Sequence, residues 1–267
     1  MPHVRVNDCD LYYEESGTGR PVLFVHGLWL SSRFFHRQLT SFAARSRTVV
    51  VDLRGHGRSE RTGAGHTVAQ HARDLAAFCE ALELRDVVIA GWSMGSLVTW
   101  ELIRQLGPDG IRGMVVIDQS PSDLRWPDWP DGPLDVPTLH HLHSAVQEQD
   151  PELPAAFIRL LFKDEPAPDE LAWMAAEVAQ IPPGIAAPIL FEQTVVDYRE
   201  LLPQLTIPTL LCIGRVEGIV TVAAGEYMRD RIPGAELVIF EESNHVPFLE
   251  ETERFDRVVG DWIARLP

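Results

Sequence analysis

Six short apolar runs recur along the chain, each bounded by turn-forming residues: PVLFVHG ending at Gly27, TVVVDL ending at Leu53, DVVIAGW ending at Trp92, GMVVIDQ ending at Gln119, TLLCIGR ending at Arg215 and ELVIFEE ending at Glu242. Their Val, Ile and Leu positions are continuous rather than alternating, which marks strands buried on both faces, as in a parallel sheet. Ahead of them, HVRVND and DLYYEES predict two more strands joined at the Asn7-Asp8 turn, an antiparallel hairpin at one edge. Between strands the period changes. Val68, Leu75, Phe78 and Leu82 recur at helical spacing, and SLVTWELIRQLG is closed by Gly107 and Pro108. This alternation predicts an α/β fold: an eight-stranded, mostly parallel sheet with right-handed crossovers and helices on both faces.

The alternation breaks after Gln119 and resumes only near Ile207. The interval is rich in Pro, Trp and Asp and carries the helical segments TLHHLHSAVQEQ, LPAAFIRLLF and DELAWMAAEVAQ. It predicts two units: a core domain of residues 1–119 and 206–267, and a helical lid of residues 120–205 standing over the sheet.

Composition narrows the function classes. A chain of 267 residues accommodates one such domain with an insertion. The formal net charge of -16 repels phosphate backbones and anionic lipid, so neither nucleic acid nor a membrane is expected as a partner. Cys9, Cys79 and Cys212 are far apart without CxxC spacing and read as inert thiols. The N-terminal segment lacks the apolar core of a secretory signal, and no stretch approaches the roughly 20 apolar residues of a membrane span, so a cytoplasmic location is expected.

The candidate chemistry starts at GWSMG, residues 91–95, which follows a buried strand and opens a helix. In that context a GxSxG match reads as a nucleophile elbow: the serine sits at the tip of a tight turn, and neighbours two positions either side must lack side chains. Ser93 is then the nucleophile, with the N-terminus of the following helix aimed at developing negative charge. A serine hydroxyl needs a base to take its proton. His245, in the loop EESNHVPFLEE after the last strand, is the candidate. The imidazole in turn needs a carboxylate to fix its tautomer. Glu217, just past the strand ending at Arg215, is the favoured acid, and Asp118 at the end of VVID is the alternative. Two backbone amides would receive the oxyanion, those of Leu28 and Met94. Trp29 and Trp92 stand beside them as pocket-wall candidates. Trp126, Trp129, Phe157 and Leu161 are candidates to line an apolar substrate pocket from the lid. The HHLH run at residues 140–143 has no cysteine or carboxylate at ligand spacing and reads as helix surface or lid lining, so no metal is expected.

HGLW, VDLRGHGRSE, GWSMGS, the GRVEGIV loop and the NHVPFLEE loop together resemble the α/β-hydrolase superfamily in order and interval, over nearly the whole chain apart from the inserted helices. Within it the chain is similar to the small bacterial esterase, lactonase and carbon-carbon hydrolase group. The resemblance implies a triad of Ser93, Glu217 and His245, with Leu28 and Met94 forming the oxyanion hole and no cofactor. The chain departs from the pattern in carrying Glu217 where members mostly have Asp, and Ser96 where they have Gly. The expected function is hydrolysis of a carboxylic ester or lactone of a small, largely apolar molecule through an acyl-enzyme. The alternatives on the same fold are carbon-carbon bond hydrolysis, cofactor-free oxygenation and acyl transfer, and beyond enzymes a non-catalytic ligand-binding receptor.

Overall fold

All eight expected strands form in the computed structural model, which describes residues 2–216 and 218–267. They are β1 (His3–Val6), β2 (Cys9–Ser16), β3 (Pro21–Val25), β4 (Arg47–Val51), β5 (Val87–Trp92), β6 (Ile111–Ile117), β7 (Thr209–Gly214) and β8 (Glu236–Phe240). Their spatial order is β1-β2-β4-β3-β5-β6-β7-β8. The β1/β2 hairpin pairs His3 with Tyr12 and Val6 with Cys9, turning at Asn7 with a left-handed φ of 50°. β2 is antiparallel to β4, and every later pairing is parallel. The continuous apolar runs follow from this arrangement, because β5 and β7 are buried at every position.

β4 lies on one side of β3 and β5 on the other, so the chain reverses its direction of travel across the sheet at that point. Loops leaving the carboxyl ends of strands diverge at such a switch and leave a crevice. Several strands end earlier than their apolar runs: β3 at Val25 rather than Gly27, and β6 at Ile117 rather than Gln119. The surplus residues form the loops that rim the crevice.

The helices are α1 (His36–Ser41), α2 (Val68–Ala81), α3 (Met94–Leu106), α4 (Val136–Gln147), α5 (Leu153–Leu161), α6 (Pro168–Ala179), α7 (Pro183–Val195), α8 (Val222–Arg231), α9 (Pro247–Glu250) and α10 (Thr252–Arg265). Helix α2 begins where the Thr67 hydroxyl accepts the Gln70 amide, and it buries Val68, Ala72, Leu75 and Phe78. Helix α3 ends at Gly107, whose φ of 81° no side chain favours. The turn after β4 is structural: the Asp52 carboxylate accepts the amides of Ser32 and Arg58, and the buried Arg54 guanidinium pairs with Asp74.

Helices α4 to α7 all fall between β6 and β7, with α4 packed on α7 and α5 on α6. The periodicity of the sequence does not reveal α7. It is apolar almost all round, starts on Pro183-Gly184 and contains Pro188, so no polar face marks it as a helix. No single helix among the described residues is long and apolar enough to cross a membrane.

Candidate active site

Ser93 occupies the turn between β5 and α3 with φ 52° and ψ -126°, a region that strains any residue with a side chain by roughly 1–3 kcal/mol. The surroundings hold it there. Its amide donates to the Ile117 carbonyl of β6 at 3.0 Å, and its carbonyl accepts the Ser96 amide at 2.8 Å. The glycines on either side are needed because the chain folds back on itself: a Cβ at Gly91 would meet the Gly95 carbonyl at 2.6 Å, and one at Gly95 would meet the Val25 carbonyl oxygen at 2.2 Å. Ser96 reinforces the turn by donating its hydroxyl to the Gly91 carbonyl at 2.6 Å.

His245 arrives on the loop between β8 and α9. Its Nδ1 lies 2.6 Å from Asp118 Oδ2, with both side chains buried. Asp118 is turned toward it by a left-handed φ of 45° at the end of β6, and its other oxygen accepts the Gly214 amide at 2.8 Å. Burial pushes the Asp118 carboxyl up from its ordinary value, while the imidazole and the Gly214 amide favour the charged form. A carboxylate on Nδ1 favours the tautomer that carries its proton there and leaves Nε2 unprotonated, and Nε2 makes no hydrogen bond among the described residues. Sequence reasoning placed Glu217 first for this position and Asp118 second. Glu217 lies outside the described residues, and the carboxylate on Nδ1 is that of Asp118, because the end of β6 lies directly beside β7 and the histidine loop.

The expected oxyanion donors have the required freedom. Among the described residues the amides of Leu28 and Met94 make no hydrogen bond, and Met94 opens α3. The loop carrying Leu28 passes close to the serine: a Cβ at Gly27 would lie 3.0 Å from Ser93 Cβ and 3.4 Å from its Oγ. His26 shapes that loop, with Nδ1 donating to the Gly27 carbonyl and Nε2 accepting the Leu53 amide. Full burial lowers its pKa to about 4, so it works as a neutral ring.

Ser93 and His245 both line one cavity of about 250 Å³, whose walls come from the crevice and from α4, α5 and α7. Trp29, Phe157 and Leu161 are among its lining residues; Trp29 has a left-handed φ of 61°, and its Nε1 donates to the Ala186 carbonyl. Trp92, Trp126 and Trp129 are not among its walls, which corrects their expected role. Trp92 is fully buried, donates to the His245 carbonyl at 2.9 Å and packs on Phe248. Trp126 and Trp129 close a turn by exchanging backbone hydrogen bonds, and both indoles donate to Ser122. Their bulk secures the backbone behind the cavity instead of facing it.

Three polar cavity residues escaped the sequence reading: Gln119, Asp123 and Gln193, all buried. The two glutamine amides donate to the two oxygens of Asp123, at 2.6 and 2.9 Å, and burial lifts the Asp123 carboxyl to about 7. Nothing in local sequence marks them. Gln119 follows a strand, Asp123 lies in an irregular loop, and Gln193 sits on the unrecognised α7.

The histidine loop is also tied to α5: the His245 amide donates to the Leu161 carbonyl, and the Asn244 side chain to that of Leu160. His140 and His141 are exposed on α4, and no cluster among the described residues is placed to hold a metal ion.

The sheet order, the strained serine at the switch point and the buried Asp118–His245 pair define an α/β protein whose chemistry-bearing groups gather at one carboxyl edge. Residues 22–258 match the alpha/beta hydrolase family, and the chain belongs to that family. It is 28% identical over 262 residues to the AB hydrolase superfamily protein YisY of Bacillus subtilis, covering 94% of each chain. It is also 28% identical over 251 residues to the pimeloyl-[acyl-carrier protein] methyl ester esterase of Nitrosomonas europaea, covering 92% of this chain and 97% of that one. An esterase from Exiguobacterium antarcticum has the same fold, with a TM-score of 0.92 over 96% of each chain at 23% identity.

Proposed function

We propose that the protein hydrolyses a carboxylic ester or lactone of a small, largely apolar molecule through an acyl-enzyme on Ser93. The observation that carries this is a strained serine and a histidine lining the same cavity, the histidine with Nδ1 on a buried carboxylate. Ser93 Oγ attacks the substrate carbonyl carbon as its proton passes to His245 Nε2. The oxyanion is received by the amides of Leu28 and Met94, beside the positive end of α3. The intermediate collapses, and the leaving alkoxide takes the proton from His245. A water then gives its proton to the same nitrogen, attacks the acyl carbon and releases the carboxylic acid, restoring Ser93. Asp118 holds the imidazole's tautomer and stabilises its charged form.

Residues 120–205 act as a cap that shapes the cavity and excludes bulk water. The methyl ester esterase relative supports ester hydrolysis as the reaction class. The test is hydrolysis of short and medium p-nitrophenyl esters by the wild type and Ser93→Ala, with a fluorophosphonate probe on both. Turnover and labelling in the wild type, each lost in the variant, are expected. A folded wild type that shows neither overturns the proposal.

A further inference from the structure

Helix α5 ends at Leu161, and a helix leaves its last carbonyls without partners of its own. Three successive carbonyls at this end are taken by the histidine loop. The His245 amide donates to Leu161 at 3.0 Å, and Asn244 Nδ2 donates to Leu160 at 2.9 Å and to Phe162 at 3.3 Å. On its other side the buried Asn244 accepts the Gly218 amide on Oδ1 at 3.2 Å. These partners fix how the side-chain amide faces: a backbone carbonyl only accepts and a backbone N–H only donates, so Nδ2 turns to α5 and Oδ1 to the loop after β7. Glu250 of α9 closes the same joint, with one oxygen accepting the Asn244 backbone amide at 2.8 Å and the other that of Lys163 at 2.6 Å.

His245 depends on this joint. Its ring is held at Nδ1 by Asp118 and its carbonyl by the Trp92 indole, but its amide rests on Leu161, one of the residues inserted between β6 and β7. The place of that amide therefore follows the last turn of α5, and Asn244 is the side chain that ties this turn to the histidine loop. Without its two donations the Leu160 and Phe162 carbonyls lose their partners in the loop, and the turn is free to shift toward water that can meet them. The same helix carries Phe157, Leu160 and Leu161 of the cavity wall, so wall and base share one support. Asn244 itself is not among the residues lining the cavity.

We infer that Asn244 is a positioning residue for the proposed hydrolysis: by binding the end of α5 to the histidine loop it sets where His245 stands relative to Ser93. This rests on the reading of Ser93 as nucleophile and His245 as its base, and goes beyond it by placing a determinant of the base's position at the end of an inserted helix instead of in the sheet alone. A general base works only within hydrogen-bond reach of the proton it takes, and a misplacement of about 1 Å costs on the order of a hundredfold in rate. Because Asn244 stands behind the loop and not in the cavity wall, its loss is expected to act on the chemical steps and to leave substrate binding nearly intact.

The test compares the wild type with Asn244→Leu, which keeps the side chain's volume and removes its three hydrogen bonds, and with Asn244→Ala, which leaves space for water at the freed carbonyls. Hydrolysis of a p-nitrophenyl ester is measured, and turnover is expressed per active site by titrating each sample to completion with a fluorophosphonate. In both variants kcat per titrated site is expected to fall about ten- to hundredfold, with KM within about threefold of the wild type. A residue that only stabilised the fold would lower Tm and the number of titratable sites while leaving kcat per site unchanged. Circular dichroism confirms folding, and either folded variant alone suffices. A kcat per site within about twofold of the wild type overturns the inference and leaves Ser93 as the nucleophile, and so does a loss confined to KM. A wild type that neither turns over ester nor labels overturns the nucleophile reading and this inference together.

Discussion

Two groups of residues line the same cavity or back its walls, with Asp118 behind His245, and they are held by different means. On the sheet side, Ser93, Asp118 and His245 are fixed through the main chain: the Ser93 amide on Ile117, the Asp118 amide on Cys212, the His245 amide on Leu161. Two of the three adopt left-handed φ values that only a fully bonded surrounding sustains. On the helical side, Leu142, Phe157 and Leu190 are placed by packing between helices, with no comparable backbone constraint on their side chains. Backbone-held geometry admits few substitutions, because moving one atom breaks several hydrogen bonds. A packed wall exchanges residues of similar volume at modest cost. Chemistry is therefore expected to reside in the first group and selectivity in the second.

Substitutions should separate the two. Ser93→Ala is expected to lower kcat for p-nitrophenyl esters by about 10^4-fold or more. Asp118→Asn should lower kcat by about 10^3- to 10^4-fold through loss of the correct tautomer, whereas Glu217→Gln should stay within about tenfold of wild type. A reversal of that order in steady-state kinetics would return the acid role to Glu217.

Gly95→Ala tests the backbone on the sheet side directly. Its Cβ would lie 2.2 Å from the Val25 carbonyl oxygen, so a loss of about 3 kcal/mol or more is expected in denaturant unfolding. Acid should also weaken this half. His26 and His56 are buried, which lowers their values to about 4 and about 3 from the ordinary 6.5. The unfolded chain binds protons that the folded chain does not, so their contribution is complete above about pH 6.5 and is lost as pH falls toward 4 and then 3. Thermal melting should show Tm falling over that window, and a flat profile would mean that these rings take up protons in the folded protein as readily as in the unfolded chain. The smallest effect belongs to the helical wall. Phe157→Ala should raise KM for a medium-chain ester by up to about tenfold with little change in kcat. A larger loss in kcat than in KM would show that the wall positions the reacting atoms.

The strands, the elbow and the histidine were legible because each rests on local pattern. A doubly covered strand must be apolar throughout, and a turn this tight requires Gly91 and Gly95 within five residues of chain. The carboxylate partner of His245 was not legible to the same degree. The sequence offers a carboxylate after each of two apolar runs, Asp118 and Glu217, and that Asp118 meets His245 depends on a register between strands far apart in the chain. The tryptophans mislead for a related reason: bulk and hydrophobicity at 126 and 129 signal burial but not the direction of burial, and here both indoles turn to Ser122.

The sequence by itself determined the sheet, the alternation of strand and helix, and the positions of Ser93 and His245, since these follow from periodicity and from steric demands within short segments. The tertiary structure alone decided that Asp118 meets His245, that α7 is a helix, and that Gln119, Asp123 and Gln193 converge in one cavity. Those are contacts between residues separated by up to 127 positions, and their energy depends on burial and hydrogen-bond geometry that exist only after the chain has folded.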